Sequence, residues 1–247
     1  MNMTIIEHPI LFSGEMVRAI LQDRKTMTRR VIKPAMWPLV EDVFKFNGHW
    51  TFEIMDGTIV SPFGYPGDRL WVRETWKIAS FMEGDPMEFQ YRADGGEAEE
   101  NEHYNELTYD EWFERICMQS TDYLEQIKWP NKDEDGVYRW DTGKSPLPWR
   151  PAIYMPRWAS RINLEIVNVG VERVQEIAIY ENVEDIFSEG LFKGNYCQFV
   201  EDEPCDINVD EALEDWKDLW NSINAKKGFD WEANPWVWVI EFKKVTP

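Results

Sequence analysis

The chain has 247 residues, of which 43% are hydrophobic and 15% aromatic, enough apolar material to build a core and too much for a disordered chain. A formal net charge of −20 repels polyanions at long range. No apolar run reaches the roughly 20 residues of a membrane-spanning helix, and the three cysteines, Cys117, Cys197 and Cys205, match neither a zinc spacing nor a disulfide framework.

The acidity is concentrated. Residues 83–136 carry −13 and residues 181–218 carry −11, which leaves the remainder of the chain at +4. The framework between the acidic blocks is therefore slightly basic and suits a small, weakly charged ligand better than a long nucleic acid. The amino-terminal stretch lacks a basic region followed by an apolar one, so no secretory signal is read. A cytoplasmic protein is expected, with no membrane association, no metal and no cofactor.

In chain order, residues 14–22 read as a short helix with Ser13 as its N-cap. The stretch "TMTRRVIK" reads as a strand stopped by Pro34. Asn47-Gly48 signals a hairpin within residues 37–54. A Pro-Gly-Asp turn feeds a strand over 69–75. The acidic stretch at about 83–140 has interleaved aromatics and reads as a partly ordered insertion, with a helix in "TYDEWFERICM". Residues 143–156 are Pro-rich and extended, and 160–177 alternate as one long or bulged strand. A helix capped at Asn182 ends at Gly190. Residues 210–224 form an amphipathic helix with Leu213, Trp216, Leu219, Trp220 and Ile223 on its apolar face. The closing "NPWVWVIEFKKV" is a strand that needs a central or early partner. Mixed strands and short helices predict an α+β fold on a small barrel.

The cluster "QDRKTMTRRVIK" holds five basic residues around two threonines in an acidic protein. Together with Gly67-Asp68-Arg69-Leu70, "EDIFSEG" and "WVWVIEF", it resembles the ASCH superfamily, whose barrel is related to the RNA-binding PUA domain. The longer form, with "LWVRETW" and "MPRWASRI", is similar to ASCH proteins carried by phages and prophages. The resemblance covers residues 8–76 and 150–245 and implies a single ASCH-like domain over 1–247 that carries the acidic insertion. It also implies the cytoplasm of a host cell as the place of action.

Small bacterial members of that superfamily are amidohydrolases that remove acetyl from N4-acetylcytidine. By resemblance, their catalytic residues fall on Lys25, Thr28 and Glu189. Thr28 would supply the hydroxyl, Lys25 the base, with its ammonium disfavoured by burial and by Arg24, Arg29 and Arg30, and Glu189 would orient the lysine or relay protons. Residues three apart on a strand face opposite sides, so Lys25 and Thr28 share a site only if Lys25 precedes the strand. Arg24, Arg30, Arg73 and Trp71 are the candidate substrate contacts.

Three functions follow. The first is amide hydrolysis on a small modified nucleoside. The second is a module, without amidohydrolase activity, that grips or cleaves RNA through a single-stranded or modified base. The third is an acidic mimic of nucleic acid that occupies a host protein. Beside these stand structural roles: Thr28 as a β-former, Lys25 as solvated, Glu189 as part of an acidic helix end, and Trp71 as core, whereas Arg30, inward on a strand, must be paired and favours the pocket.

Overall fold

The computed structural model of the chain describes residues 5–32, 43–46, 49–54, 57–59, 61–81, 87–99, 106–134, 136–178, 183–191 and 209–245. The fold is α+β. Eleven strands are described: β1 Glu7–Leu11, β2 Met27–Val31, β3 Val43–Phe46, β4 His49–Ile54, β5 Gly57–Ile59, β6 Arg69–Arg73, β7 Trp76–Ser80, β8 Glu88–Tyr91, β9 Glu97–Glu99, β10 Asn163–Arg173 and β11 Trp236–Val245. Four α-helices accompany them: α1 Gly14–Leu21, α2 Glu106–Gln126, α3 Val183–Ser188 and α4 Val209–Asn224.

One sheet has the order β1-β6-β10-β11-β2, and two three-stranded sheets run β3-β4-β5 and β7-β8-β9. Among the described residues none of them closes into a barrel. The chain separates into two compact units, Met1–His8 with Ala19–Leu70 and Leu164–Thr246, and Pro9–Arg18 with Trp71–Asn163 and Pro247.

In the first unit, β11 pairs antiparallel with the early strand β2, as its Trp- and Val-rich sequence requires, with Thr28 opposite Ile240 and Arg30 opposite Trp238. Alternation sends Met27, Arg29 and Val31 to one face of β2 and Thr28 and Arg30 to the other. Helices α3 and α4 cover the first of these faces. Their Ile186, Ala212, Trp216 and Trp220 pack with Met27, Val237 and Val239, and the Trp216 and Trp220 rings stack at 5.4 Å. The apolar stripe of α4 is narrower than the sequence suggests: Ala212 belongs to it, whereas Ile223 is exposed. Strand β10 stops at Arg173 and gives way to a 3-10 turn over Val174–Ala178, so the alternation read through 160–177 is cut short. Val174 and Ile177 of that turn are buried against α3 and α4, a packing gain that extended backbone does not offer.

The hairpin predicted at Asn47-Gly48 is present as β3 and β4, with Phe46 opposite His49. The turn residues themselves lie outside the described residues, as does Asn182, the expected cap of α3.

In the second unit, β7, β8 and β9 form an antiparallel sheet that extends into the acidic stretch. Helix α2 is about twice the length of the predicted segment. Its Trp112, Ile116 and Leu124 pack on Trp76, Phe89 and Trp158, with Trp112 edge-on to Trp158 at 4.2 Å. Tyr91 is fully buried there and donates its hydroxyl to the Ala159 carbonyl at 2.8 Å. Among the described residues of this stretch, Asp94, Glu99, Glu111, Glu114, Asp122, Glu125 and Glu134 are exposed, while Phe89 and Tyr91 build a core.

A candidate site at the Lys25–Glu189 bridge

Helix α1 sets up the site. Ser13 caps it, its hydroxyl oxygen accepting the Met16 N–H at 3.4 Å. At the other end the Ala19 carbonyl accepts the N–H groups of both Arg24 (2.9 Å) and Lys25 (3.1 Å), while Asp23 adopts φ 55°. The chain thereby reverses tightly and delivers Lys25 two residues before β2 begins. The condition that spacing imposed on Lys25 and Thr28 is met: Lys25 lies outside the alternation of the strand.

Helix α3 delivers Glu189. Its last turn closes with the Gly190 N–H donating to Phe187 O at 2.8 Å, with Gly190 at φ 81°. Only glycine fits there. A Cβ at Gly190 would stand 2.6 Å from the Lys25 Cβ and 2.9 Å from the Ala19 Cβ, in a backbone region that side chains rarely adopt. Thr26 N–H donates to Ser188 O at 2.9 Å, and Lys25 and Glu189 form an antiparallel bridge beside β2.

The Lys25 side chain is wholly buried. Its ammonium donates to Glu189 Oε2 at 2.7 Å, to Met27 O at 2.7 Å and to Glu189 O at 2.9 Å. The Met27 carbonyl belongs to the peptide unit that leads into Thr28, so Nζ sits one peptide group away from that threonine. Burial pushes the Lys25 pKa below the ordinary lysine value; Glu189 opposes this, and the charges of Arg30 and Arg29 add to the lowering.

Sequence reasoning named Arg29 only as a neighbouring charge, yet it is the hub of the cluster. Its guanidinium donates to Glu172 Oε1 at 2.7 Å, to Asp185 Oδ2 at 2.6 Å and to Glu189 Oε1 at 3.3 Å. These carboxylates hold its pKa above the usual value despite burial. Glu189 is thus gripped at both oxygens, one by Lys25 and one by Arg29. Glu172 and Asp185 were missed by the sequence reading. The available signal was the excess of arginine at alternate positions of a strand, which demands buried counter-charges from elsewhere in the chain.

The remaining predicted residues are placed as follows. Thr28 is buried on the face of β2 opposite Arg29. Arg30 follows on the face of Thr28 and lies within electrostatic range of Lys25 and Glu189. Arg24 clamps the end of α3, donating to Gly190 O at 2.7 Å, and also binds the Gln22 side chain. Arg73 and Trp71 belong to the second unit, where the Arg73 guanidinium lies 4.6 Å from the Trp71 ring. The structure therefore joins Lys25 directly to Glu189, with Thr28 one peptide group away.

No family model, no curated protein and no solved structure matches this chain. No helix among the described residues is long and apolar enough to cross a membrane.

Proposed function

We propose that the chain is an ASCH-type protein with a PUA-like barrel whose Lys25, Thr28 and Glu189 hydrolyse an amide, of the kind that links acetyl to N4 of N4-acetylcytidine. The observation that carries this reading is the buried Lys25–Glu189 contact, formed between residues 164 apart, on the peptide group adjoining Thr28.

Burial favours the neutral amine of Lys25. A neutral amine keeps two N–H donors for the three oxygens around it, so it releases one of them and turns its lone pair to the Thr28 hydroxyl, whose proton it takes. The alkoxide adds to the acetyl carbon. Collapse of the tetrahedral intermediate breaks the C–N bond, and the proton passes from Lys25 to the departing cytosine amine. Water then hydrolyses the threonine ester, releasing acetate and restoring the hydroxyl. Arg30, on the face of Thr28, steadies the oxyanion. Glu189 holds Lys25 in place and is itself fixed by Arg29. A positioned general base of this kind contributes roughly 100- to 10,000-fold in rate.

One observation favours a second reading, a nucleobase-binding module without turnover: all three ammonium hydrogens of Lys25 already have acceptors. Acetate release from N4-acetylcytidine separates the two. Hydrolysis predicts turnover that Thr28→Ala and Lys25→Met abolish without loss of folded circular dichroism. A wild-type protein that binds the nucleoside and releases no acetate refutes hydrolysis and leaves the module.

A further inference from the structure

The second unit carries a feature that the hydrolytic site does not use. Residues 71–77 and 149–161 together contain five Lys or Arg and a single acid, Glu74, in a protein of net charge −20. Glu74 is already committed: Arg161 binds both of its oxygens, at 2.9 and 3.1 Å. Arg73 and Arg150 make no ion pair among the described residues, and burial alone lowers the pKa of each.

These cations are arranged on aromatic rings. Arg73 lies 4.6 Å and Arg157 5.9 Å from the centre of Trp71. Arg150 lies 5.7 Å from Trp76, and Lys77 lies 4.9 Å from Trp149. Arg73 also donates to Ile153 O at 3.3 Å, which ties β6 to the run 149–157. That run is rigid. Leu147, Met155 and Trp158 anchor it in the core, and Pro151 and Pro156 each lead into a short 3-10 turn, Ala152–Tyr154 and Arg157–Ala159. Between the anchors it pushes Trp149 (38% exposed) and Tyr154 (71% exposed) into solvent.

We propose that this ribbon, with Trp149 and Tyr154 as stacking platforms and Arg73, Arg150 and Arg157 as phosphate contacts, is a binding site for single-stranded nucleic acid. Arginines seated on the buried rings of Trp71 and Trp76, with the exposed rings of Trp149 and Tyr154 on the run between, are what select a single strand. Its bases are unstacked and accept an aromatic face, whereas a duplex offers only its phosphates. The ribbon is preordered, so little side-chain freedom is lost on binding. Of the acidic stretch, Asp94 binds Arg161 and Glu97 acts on Lys77, so these two cations are already engaged; exposed acids more than about 8 Å away are screened at physiological salt. This site does not depend on the hydrolytic reading, because binding is measured without turnover.

The test is fluorescence polarisation of labelled oligouridylate with the full chain, against the same strand annealed to oligoadenylate. The single strand is expected to bind more tightly than the duplex. The logarithm of its affinity should fall against the logarithm of salt with a slope of about −2, as for three phosphates on a single strand. Tyr154→Ala and Trp149→Ala, both at exposed positions, should each weaken binding about tenfold, and Arg150→Gln should flatten the salt slope. No binding at low salt, equal affinity for duplex and strand, full affinity in the Tyr154→Ala, Trp149→Ala double variant, or displacement of the strand by polyglutamate at equal charge concentration overturns the proposal.

Discussion

Glu189→Gln is the perturbation that reads the buried charge cluster most sharply. The replacement keeps the shape of the side chain and removes one negative charge from a group that touches Lys25 at 2.7 Å and Arg29 at 3.3 Å. The cluster holds three cations, Lys25, Arg29 and Arg30, against three carboxylates, Glu172, Asp185 and Glu189. Without Glu189 the Lys25 ammonium is buried with no carboxylate of its own, since Glu172 and Asp185 already bind Arg29. Breaking a buried pair from one side costs about 3–5 kcal/mol. That loss should appear at neutral pH in urea unfolding followed by Trp fluorescence.

The loss should also depend on pH, with a definite sign. The Lys25 pKa is below its unfolded value of 10.5, so across that window the unfolded chain binds more protons and stability rises with pH. Removing Glu189 deletes the largest influence that raises this pKa. The window then opens at a lower pH, and the variant recovers stability between neutral and alkaline conditions by up to about 1.4 kcal/mol per pH unit. The Lys25→Met, Glu189→Leu double variant should be close to wild type in stability, because an apolar pair replaces an ion pair at little net cost. A Glu189→Gln variant that loses less than about 1 kcal/mol, at every pH from 7 to 10, refutes the reasoning.

Gly190→Ala places a methyl group 2.6 Å from the Lys25 Cβ at positive φ, so it should lower the melting temperature by several degrees and reduce turnover with it. Trp216→Ala removes the ring that stacks on Trp220 in the core under α4 and should cost about 3–5 kcal/mol, read by urea unfolding. Burial raises the Glu74 pKa above 4.5 even beside Arg161, so the folded state binds more protons there and the stability associated with Glu74 declines as pH climbs through that raised value. Glu74→Gln should abolish that decline in melting curves recorded across mildly acidic pH.

Much of the fold was legible because it rests on local rules. Ser13 capping α1, the turn signal between β3 and β4 and the stop at Gly190 are each set by a few neighbouring residues, whereas β11 buries Val237 to Ile240 without a break. The long helix α2 was underestimated because its flanks are acidic and weakly patterned, and only packing of Trp112 and Leu124 on the β7-β8 sheet decides its length. The Lys25–Glu189 pairing was reached through resemblance, since no local rule joins residues so far apart. The role of Arg29 was not legible. A basic run in sequence gives no hint that one of its members binds three carboxylates contributed by β10, α3 and the turn after α3. Nor could sequence assign Arg73 and Trp71 to a different unit from Lys25.

The most direct measurement of the central claim is the pH dependence of kcat/KM for acetate release from N4-acetylcytidine. If neutral Lys25 takes the proton of Thr28, kcat/KM rises with pH and levels off at a pKa below the ordinary lysine value of 10.5, and Lys25→Met removes that limb. A rate that is flat across this range, or a limb that persists in Lys25→Met, contradicts the account.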